Sequence, residues 1–218
     1  MFRSWSQKAF GEAKNYIPNV VEAQDNPTKQ FMNIADPSEW RIPPESAYFY
    51  YCSNETIHGT EILDFPFHLM GDIPVVCDMS SDFLARPIDV SKYGLIFAGA
   101  QKNVGPSGSC VIIVRKDLIG KQMKITPSVT NYDTIVKSVN SIYNTPCTIS
   151  NYVCGLNIKY MLKNGGLEYY DRLADERSKL VYGEMDLTPE YYINKINPKY
   201  RSRMNVMFRI KNGKRNGN

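Results

Sequence analysis

The sequence predicts an α/β protein with a mostly parallel sheet, and two observations support this prediction. Short apolar runs occur at residues 47–52, 73–78 and 93–100, and each is apolar almost throughout instead of alternating with polar residues. Such runs are typical of strands that are covered on both faces. Longer helical segments follow at residues 147–163 and 167–185, and the second has an amphipathic pattern.

The remaining segments complete this arrangement. Residues 4–15 are predicted to form a helix, for which Ser4 or Ser6 is a suitable N-cap. Residues 109–115 are predicted to form a fourth strand. The short turn before it is rich in glycine and proline and would allow antiparallel pairing with the third strand. A last strand is expected at residues 203–210.

The composition is that of an ordinary globular protein, with 43% hydrophobic and 22% charged residues. The net charge of +4 owes much to the C-terminal end, so no broad basic face indicates a nucleic-acid partner. No apolar run approaches the roughly 20 residues that span a bilayer, and the first residues lack the apolar stretch of a signal peptide. We therefore expect a cytoplasmic protein with neither nucleic-acid nor membrane partners.

Cysteine usage agrees with a reducing compartment. The five cysteines are odd in number and form no CxxC pair, and they lie at positions 52, 77, 110, 147 and 154. We interpret them as reduced and buried, as in a cytosolic protein. With only two histidines and no cysteine pair, no metal site is expected.

Polar side chains follow each of the first three predicted strands. In an open α/β sheet, ligands bind just beyond the carboxyl ends of the strands. If these strands are neighbours, their polar side chains meet at one edge of the sheet. The side chains in question belong to Asn54, Glu55 and Thr56, to Asp78, and to Gln101 and Lys102.

A carboxylate and an amine at the ends of two strands suit pyridoxal phosphate. This cofactor needs a lysine with which to form a Schiff base, and Lys102 could provide it. The cofactor also needs an acid beside its pyridine nitrogen, which keeps that nitrogen protonated so that the ring can absorb electrons. Asp78 could be that acid.

Several uninterrupted motifs resemble those of the phosphoserine aminotransferase family, which belongs to the class V pyridoxal-phosphate-dependent aminotransferases. The resemblance extends from Trp5 to Ile210, nearly the whole chain. In chain order, the motifs are NETIHG at 54–59, CDMSS at 77–81, ARPIDVSKYG at 85–94, IFAGAQKNVGPSG at 96–108, YNTP at 143–146 and SRMNV at 202–206.

The resemblance implies a large domain of the aspartate-aminotransferase type, known as fold type I, followed by the start of a small α+β domain. Residues 1–166 would form the cofactor-binding domain without its N-terminal part. Residues 167–210 would form a linking helix and the start of the small domain, and 211–218 a disordered tail. It further implies a homodimer that uses pyridoxal 5'-phosphate. The enzyme would convert glutamate and 3-phosphohydroxypyruvate to 2-oxoglutarate and O-phospho-L-serine in serine biosynthesis.

The same resemblance implies a role for each candidate site residue. Lys102 would be the Schiff-base lysine, and Asp78 would pair with the pyridine nitrogen. Trp5 would stack on the cofactor ring, Thr56 would hydrogen-bond the ring hydroxyl, and Gln101 would bind the cofactor phosphate. Each of these residues also has an ordinary structural reading, such as a core tryptophan, a turn threonine or a solvated loop lysine.

Two further residues are implied to act across a subunit interface. Asn144 and Thr145 match residues that reach the phosphate of the cofactor in the partner subunit, although an Asn-Thr-Pro segment is also an ordinary turn before a helix.

Two family features are not found in the sequence. They are a glycine-rich phosphate-binding turn upstream, and histidine–arginine and arginine motifs downstream that bind substrate. Arg203 and Arg209 do not match these motifs. We therefore expect weak or no activity from this polypeptide alone.

Other functions remain open at this point. Another aminotransferase or a cysteine desulfurase of the same fold is one alternative. A desulfurase needs a nucleophilic cysteine on a loop, whereas the cysteines here lie mostly in predicted strands or helices. A non-catalytic protein that acts as an interaction subunit is the other alternative.

Overall fold

The computed structural model of the protein describes residues 4–24 and 33–211. Within these ranges no helix is both long enough and apolar enough to cross a membrane. The helices are α1 (Ser4–Ala13), α2 (Tyr132–Lys137), α3 (Thr148–Lys163) and α4 (Gly166–Leu187). The strands are β1 (Phe49–Cys52), β2 (Asn54–Glu55), β3 (Thr60–Glu61), β4 (Val75–Asp78), β5 (Leu95–Gly99), β6 (Cys110–Val114), β7 (Tyr192–Ile193) and β8 (Arg209–Ile210).

Four strands form the main sheet in the order β1-β4-β5-β6. β1, β4 and β5 are parallel, and β6 pairs antiparallel with β5. The predicted α/β class, the mostly parallel sheet and the direction of the fourth strand are therefore confirmed. Asp78 is in register with Cys52 on one side and with Phe97 on the other. The ends of β1 and β4 therefore lie side by side, and the neighbouring β5 runs on to Gly99.

One face of the sheet packs into the main hydrophobic core. Tyr51, Cys77 and Ile96 are at most 1% exposed, and they lie on this face in register with one another. The ring of Phe65 stacks on that of Tyr51 with 4.3 Å between the ring centroids, and Trp40 stacks on Phe49. Burial of each large apolar side chain contributes about 1.5–3 kcal/mol, so this face anchors the sheet.

The opposite face is covered less completely. Tyr50 and Phe97 lie on it as a half-buried stacked pair, and Ile112 of β6 is exposed. The prediction that the cysteines are buried is wrong for Cys110 and Cys147, which are exposed. Because β6 lies at the edge of the sheet and begins with Cys110, this thiol has no covering layer among the described residues.

The predicted strand at 203–210 is wrong for most of its length, since only Arg209–Ile210 forms a strand, paired with β7. The hydroxyl oxygen of Ser202 accepts hydrogen bonds from the backbone N–H groups of Met204 and Asn205, at 3.1 and 2.9 Å. A local side chain therefore holds this segment in a turn and competes with strand pairing.

The division into large and small domains remains a prediction. α3 and α4 occupy the predicted helical segments, and α4 leads into the β7–β8 pair. In the predicted tail, Lys211 donates its backbone N–H to the carbonyl of Tyr191 at 2.7 Å. The rest of that tail, residues 212–218, lies outside the described residues.

A buried ion pair ties the C-terminal segment to β3 and α4. Arg203 contacts Glu61 of β3 with 3.3 Å between Nη2 and Oε1, and it contacts Asp171 of α4 with 2.6 Å between Nη1 and Oδ1. The side chain of Glu61 is fully buried, while that of Arg203 is 11% exposed. Glu61 would therefore be a buried charge without its main counterion if Arg203 were removed.

A second buried carboxyl group belongs to Asp82, which is 5% exposed. The hydroxyl of Ser53 donates to its Oδ1 at 2.5 Å. Burial, reinforced by the charge of Glu61, raises the pKa of Asp82 to about 7, although the Ser53 hydrogen bond and Arg86 act in the opposite direction. The folded protein therefore holds a proton on Asp82 at a pH where ordinary carboxyl groups are ionised.

Replacing Arg203 with alanine is expected to lower the free energy of unfolding by about 3–5 kcal/mol, because it leaves Glu61 buried without its partner. Urea denaturation monitored by circular dichroism measures this. The matched control is Lys179→Ala, which removes the exposed pair between Lys179 and Asp175 in α4 and should cost about 0.5 kcal/mol or less. Equal losses in both variants would contradict a buried ion pair.

The raised pKa of Asp82 predicts a specific dependence of stability on pH. Because the folded pKa of about 7 lies above the ordinary 3.8, the stabilisation from this proton is complete below about pH 4 and lost as the pH rises through 7. Relative to Asp82→Asn, the wild type should lose about 4 kcal/mol of unfolding free energy between about pH 4 and pH 8. Urea denaturation at a series of pH values measures the difference.

The exposed Asp72 provides the matched control. Asp72→Asn should follow the wild-type stability at every pH. Parallel curves for the wild type and Asp82→Asn would show that Asp82 has an ordinary pKa in the folded protein.

Candidate active site

Asp78 ends β4 with an oriented, half-buried carboxylate. Its Oδ1 accepts hydrogen bonds from the backbone N–H and the hydroxyl of Ser80, at 2.9 and 2.6 Å. The Ser80 hydroxyl oxygen in turn accepts from the N–H of Gly99 at 3.1 Å, which ties this turn to β5. Among the hydrogen bonds of the described residues, none reaches Oδ2 of Asp78, so that oxygen can accept from a ligand.

Lys102 lies in the turn that follows β5, and its side chain is exposed. The N–H of Gly105 donates to the carbonyl of Ala100 at 2.8 Å and closes this turn. The side-chain amide of Asn103 donates to the carbonyl of Phe83 at 3.1 Å, which links the turn to the segment that follows Asp78. The turns that follow two neighbouring parallel strands are therefore connected directly.

α3 fixes the same turn from the other side. The side-chain amide of Asn157 donates to the carbonyls of Asn103 and Val104, at 2.8 and 3.0 Å. The helix comes so close that a Cβ on Gly105 would lie 2.7 Å from Sγ and 3.2 Å from Cα of Cys154, so this position requires glycine. Sequence reasoning did not identify Asn103 or Asn157, since neither carries chemistry; only the neighbouring Lys102 motif could have drawn attention to Asn103.

Gln101 extends over the face of the sheet that carries Asp78. A Cβ on Gly99 would collide with the side-chain oxygen of Gln101, so the amide lies directly against this glycine. Gly99 shares the half-covered face with Phe97 and the stacked ring of Tyr50. Burial, and secondly the charge of Asp78, raise the pKa of the Tyr50 hydroxyl, so aromatic rings and a carboxylate adjoin on this face.

Trp5 and Thr56 contact each other beyond the carboxyl end of β1. The indole N–H of Trp5 donates to the Thr56 hydroxyl at 3.2 Å, and the indole is 45% exposed. The ammonium of Lys8 lies 4.5 Å from the centroid of the Trp5 ring, a cation–π contact. The indole therefore offers an exposed flat surface beside a hydroxyl.

Glu55 positions the helix that carries Trp5. Its fully buried carboxylate accepts the backbone N–H of Trp5 at 3.3 Å and that of Ile57 at 3.1 Å. A carboxylate at a helix N-terminus satisfies an otherwise unpaired N–H and interacts favourably with the helix dipole. The suggestion that Ser6 caps this helix is wrong, because Ser6 is buried inside α1; the side chain of Ser4 is outside the described residues.

Asn144 and Thr145 lie apart from these groups. Both are exposed in the connection that leads into α3. No hydrogen bond joins them to Asp78, Thr56 or Trp5 in the part of the chain that the structure describes. Their position on the surface is compatible with the predicted role across a subunit interface, which stays a prediction.

A buried hydrogen-bond network behind the site was also missed from the sequence. The side-chain amide of Asn54 donates to the hydroxyl of Ser81 and to Oδ1 of Asn205, both at 2.8 Å. The hydroxyl of Ser202 donates to Oδ1 of Asn54 at 2.5 Å. Asn54 thus joins the end of β1, the turn after β4 and the segment near the C-terminus.

Known proteins are similar in sequence to this chain over most of its length. The sequence model of the family described as "Aminotransferase class-V" matches residues 13–216. A "Phosphoserine aminotransferase" of Drosophila melanogaster is 46% identical over 207 residues, which are 95% of this chain and 56% of the relative. One of Burkholderia cenocepacia is 43% identical over 213 residues, 98% of this chain and 58% of the relative. The chain thus spans a little over half the length of these relatives.

Solved structures show the same fold. A phosphoserine aminotransferase from Bacillus circulans subsp. alkalophilus has a TM-score of 0.90 at 38% identity, over 96% of this chain and 57% of its own. A PLP-bound phosphoserine aminotransferase from Trichomonas vaginalis has a TM-score of 0.90 at 39% identity, over 100% of this chain and 60% of its own. The expected aspartate-aminotransferase-type architecture is confirmed, and the chain belongs to the class V aminotransferase family.

Proposed function

We propose that this chain carries the cofactor-binding core of a phosphoserine aminotransferase. The reaction would use pyridoxal 5'-phosphate to transfer an amino group from glutamate to 3-phosphohydroxypyruvate, giving 2-oxoglutarate and O-phospho-L-serine. One observation carries the proposal: Asp78 ends β4 and Lys102 lies in the turn after the adjacent parallel strand β5, in a chain 46% identical to a phosphoserine aminotransferase.

The residues of the site fit pyridoxal phosphate chemically. The ring nitrogen needs an acceptor, and Asp78 has a carboxylate held through Oδ1 with Oδ2 facing no donor among the described residues. The ring needs an apolar surface, for which the half-exposed indole of Trp5 is suited. The ring hydroxyl and the phosphate need hydrogen-bonding partners, which Thr56 and Gln101 can provide.

Each residue would perform a defined task. Asp78 would accept the ring N–H and so keep that nitrogen protonated. When bound, the cofactor supplies an electron sink and carries the amino group between the two substrates. Lys102 would hold the cofactor covalently. While its amino group is not bonded to the cofactor, Nζ would accept and return a proton. Trp5 would exclude water from one face of the ring.

The proposed homodimer and cytoplasmic location rest on fewer observations than the cofactor assignment. In a homodimer, the exposed Asn144 and Thr145 of one subunit would reach the cofactor phosphate of the other, as the family resemblance implies. The substrates would be small anions, which suit the positive net charge of +4. Free thiols at all five cysteines fit the reducing cytoplasm.

Borohydride reduction of the protein mixed with pyridoxal phosphate tests the cofactor assignment. Reduction fixes the carbon–nitrogen double bond between lysine and cofactor, so peptide mass spectrometry should find the adduct on Lys102. Lys102→Ala should lose the adduct, while Lys121→Ala, which removes an exposed lysine elsewhere, should keep it. An unlabelled wild type, or an adduct that remains elsewhere in Lys102→Ala, would contradict the assignment.

A further inference from the structure

The hydroxyl of Ser53 lies between two acceptors directly behind Asp78. Its oxygen is 2.5 Å from Oδ1 of Asp82 and 3.2 Å from the backbone carbonyl oxygen of Asp78. The backbone N–H of Ser53 also donates to that carbonyl, at 3.0 Å. The strand end that carries Asp78 is therefore held by Ser53, and Ser53 is shared with a buried acid.

A serine hydroxyl has one hydrogen to donate and can also accept. When Asp82 is ionised it can only accept, so the Ser53 hydroxyl donates to Asp82 and the Asp78 carbonyl keeps only the N–H bond. When Asp82 is protonated, its O–H can donate to the Ser53 oxygen. The Ser53 hydrogen is then free to donate to the Asp78 carbonyl.

We propose that Asp82 is a positioning residue whose proton decides which acceptor Ser53 serves, and so sets how firmly Asp78 is held for the ring nitrogen of the cofactor. This rests on the proposed function, because it gives a purpose to the orientation of Asp78. Asp82 acts through Ser53 and the backbone, and it is not placed in contact with substrate or cofactor.

The surroundings of Asp82 let it change protonation near neutral pH. The buried Glu61 opposes its ionisation, although Arg203 pairs with Glu61, while Arg86 favours ionisation. Burial, the largest cause, raises its pKa to about 7. The titratable or charged groups facing Asp82 are Glu61, Asp78, Arg86, Cys52, Cys77 and Tyr93.

A cavity adjoins Asp82. It has a volume of about 220 Å³ and is lined by Asp82 and Arg86 together with apolar side chains, including Leu167 of α4. A buried acid that adjoins such a space can exchange its proton without unfolding of the sheet.

The backbone carbonyl of Asp78 should report the change in Ser53 hydrogen bonding even when no cofactor is bound. Its 13C chemical shift in the selectively labelled full chain should titrate with a midpoint near the Asp82 pKa of about 7. This titration should vanish in Asp82→Asn, because the neutral amide donates to Ser53 as the protonated acid would. It should also vanish in Ser53→Ala, which lacks the hydroxyl that links Asp82 to the Asp78 carbonyl. The exposed Asp72→Asn should titrate as the wild type does.

The affinity for pyridoxal phosphate, followed by quenching of tryptophan fluorescence, gives the second readout. The dissociation constant of the wild type should rise by about three- to tenfold from pH 6 to pH 8 relative to Asp82→Asn, the range that one hydrogen bond gives. In the Ser53→Ala background, Asp82→Asn should have no further effect on this pH dependence. Comparison between variants removes the titration of the cofactor itself.

The outcomes separate this inference from the proposed function. A complete lack of cofactor binding in every variant would contradict the proposed function. Binding with the same pH dependence in wild type and Asp82→Asn would overturn the role of Asp82. An Asp78 carbonyl shift that does not change around pH 7, or that changes equally in Asp82→Asn, would overturn it independently.

Discussion

The parallel pairing of β1, β4 and β5 determines where the residues of the candidate site lie. Because Cys52, Asp78 and Phe97 are in register, polar residues far apart in sequence follow strand ends that lie side by side. The covered face of the sheet, with Tyr51 and Cys77 nearly inaccessible to solvent, fixes this register, since a slip by one residue would turn apolar side chains away from the core. The opposite face is then free to carry Asp78 and the aromatic pair.

Behind the carboxyl end of the sheet, buried and half-buried polar side chains hold the segments that carry the candidate site. Glu55 holds the helix that carries Trp5, Asn54 joins three segments, and Asn157 of α3 holds the turn that carries Lys102. Each of these three side chains is hydrogen-bonded, which avoids the cost of an unpaired polar group away from water. Rigid support of this kind is what a site needs if its acid and its amine are to keep a fixed separation.

Much of the fold could be predicted from the sequence, because strand and helix patterns are local signals. The apolar runs predicted the four strands of the main sheet to within two residues at each end, whereas β2, β3 and β7 were not predicted. The polar residues after these runs predicted the end of the sheet where Asp78 and Lys102 lie. The long-range pairs were not predictable, because nothing in the sequence around Arg203 indicates that it pairs with Glu61. The same segment has the residue pattern of a strand, but hydrogen bonds to the Ser202 hydroxyl hold it in a turn. The exposure of Cys110 depends on its place at the edge of the sheet, which only the strand order determines.

In the proposed function, the strand-end acid Asp78 and the strand-end amine Lys102 would hold opposite sides of one heteroaromatic ring. A crystal structure of the chain grown with pyridoxal phosphate tests it most directly. Continuous density is expected from Nζ of Lys102 to the cofactor, with the ring nitrogen at about 2.7–3.0 Å from the carboxylate of Asp78. A cofactor bound elsewhere, or a ring nitrogen that faces away from Asp78, would contradict it.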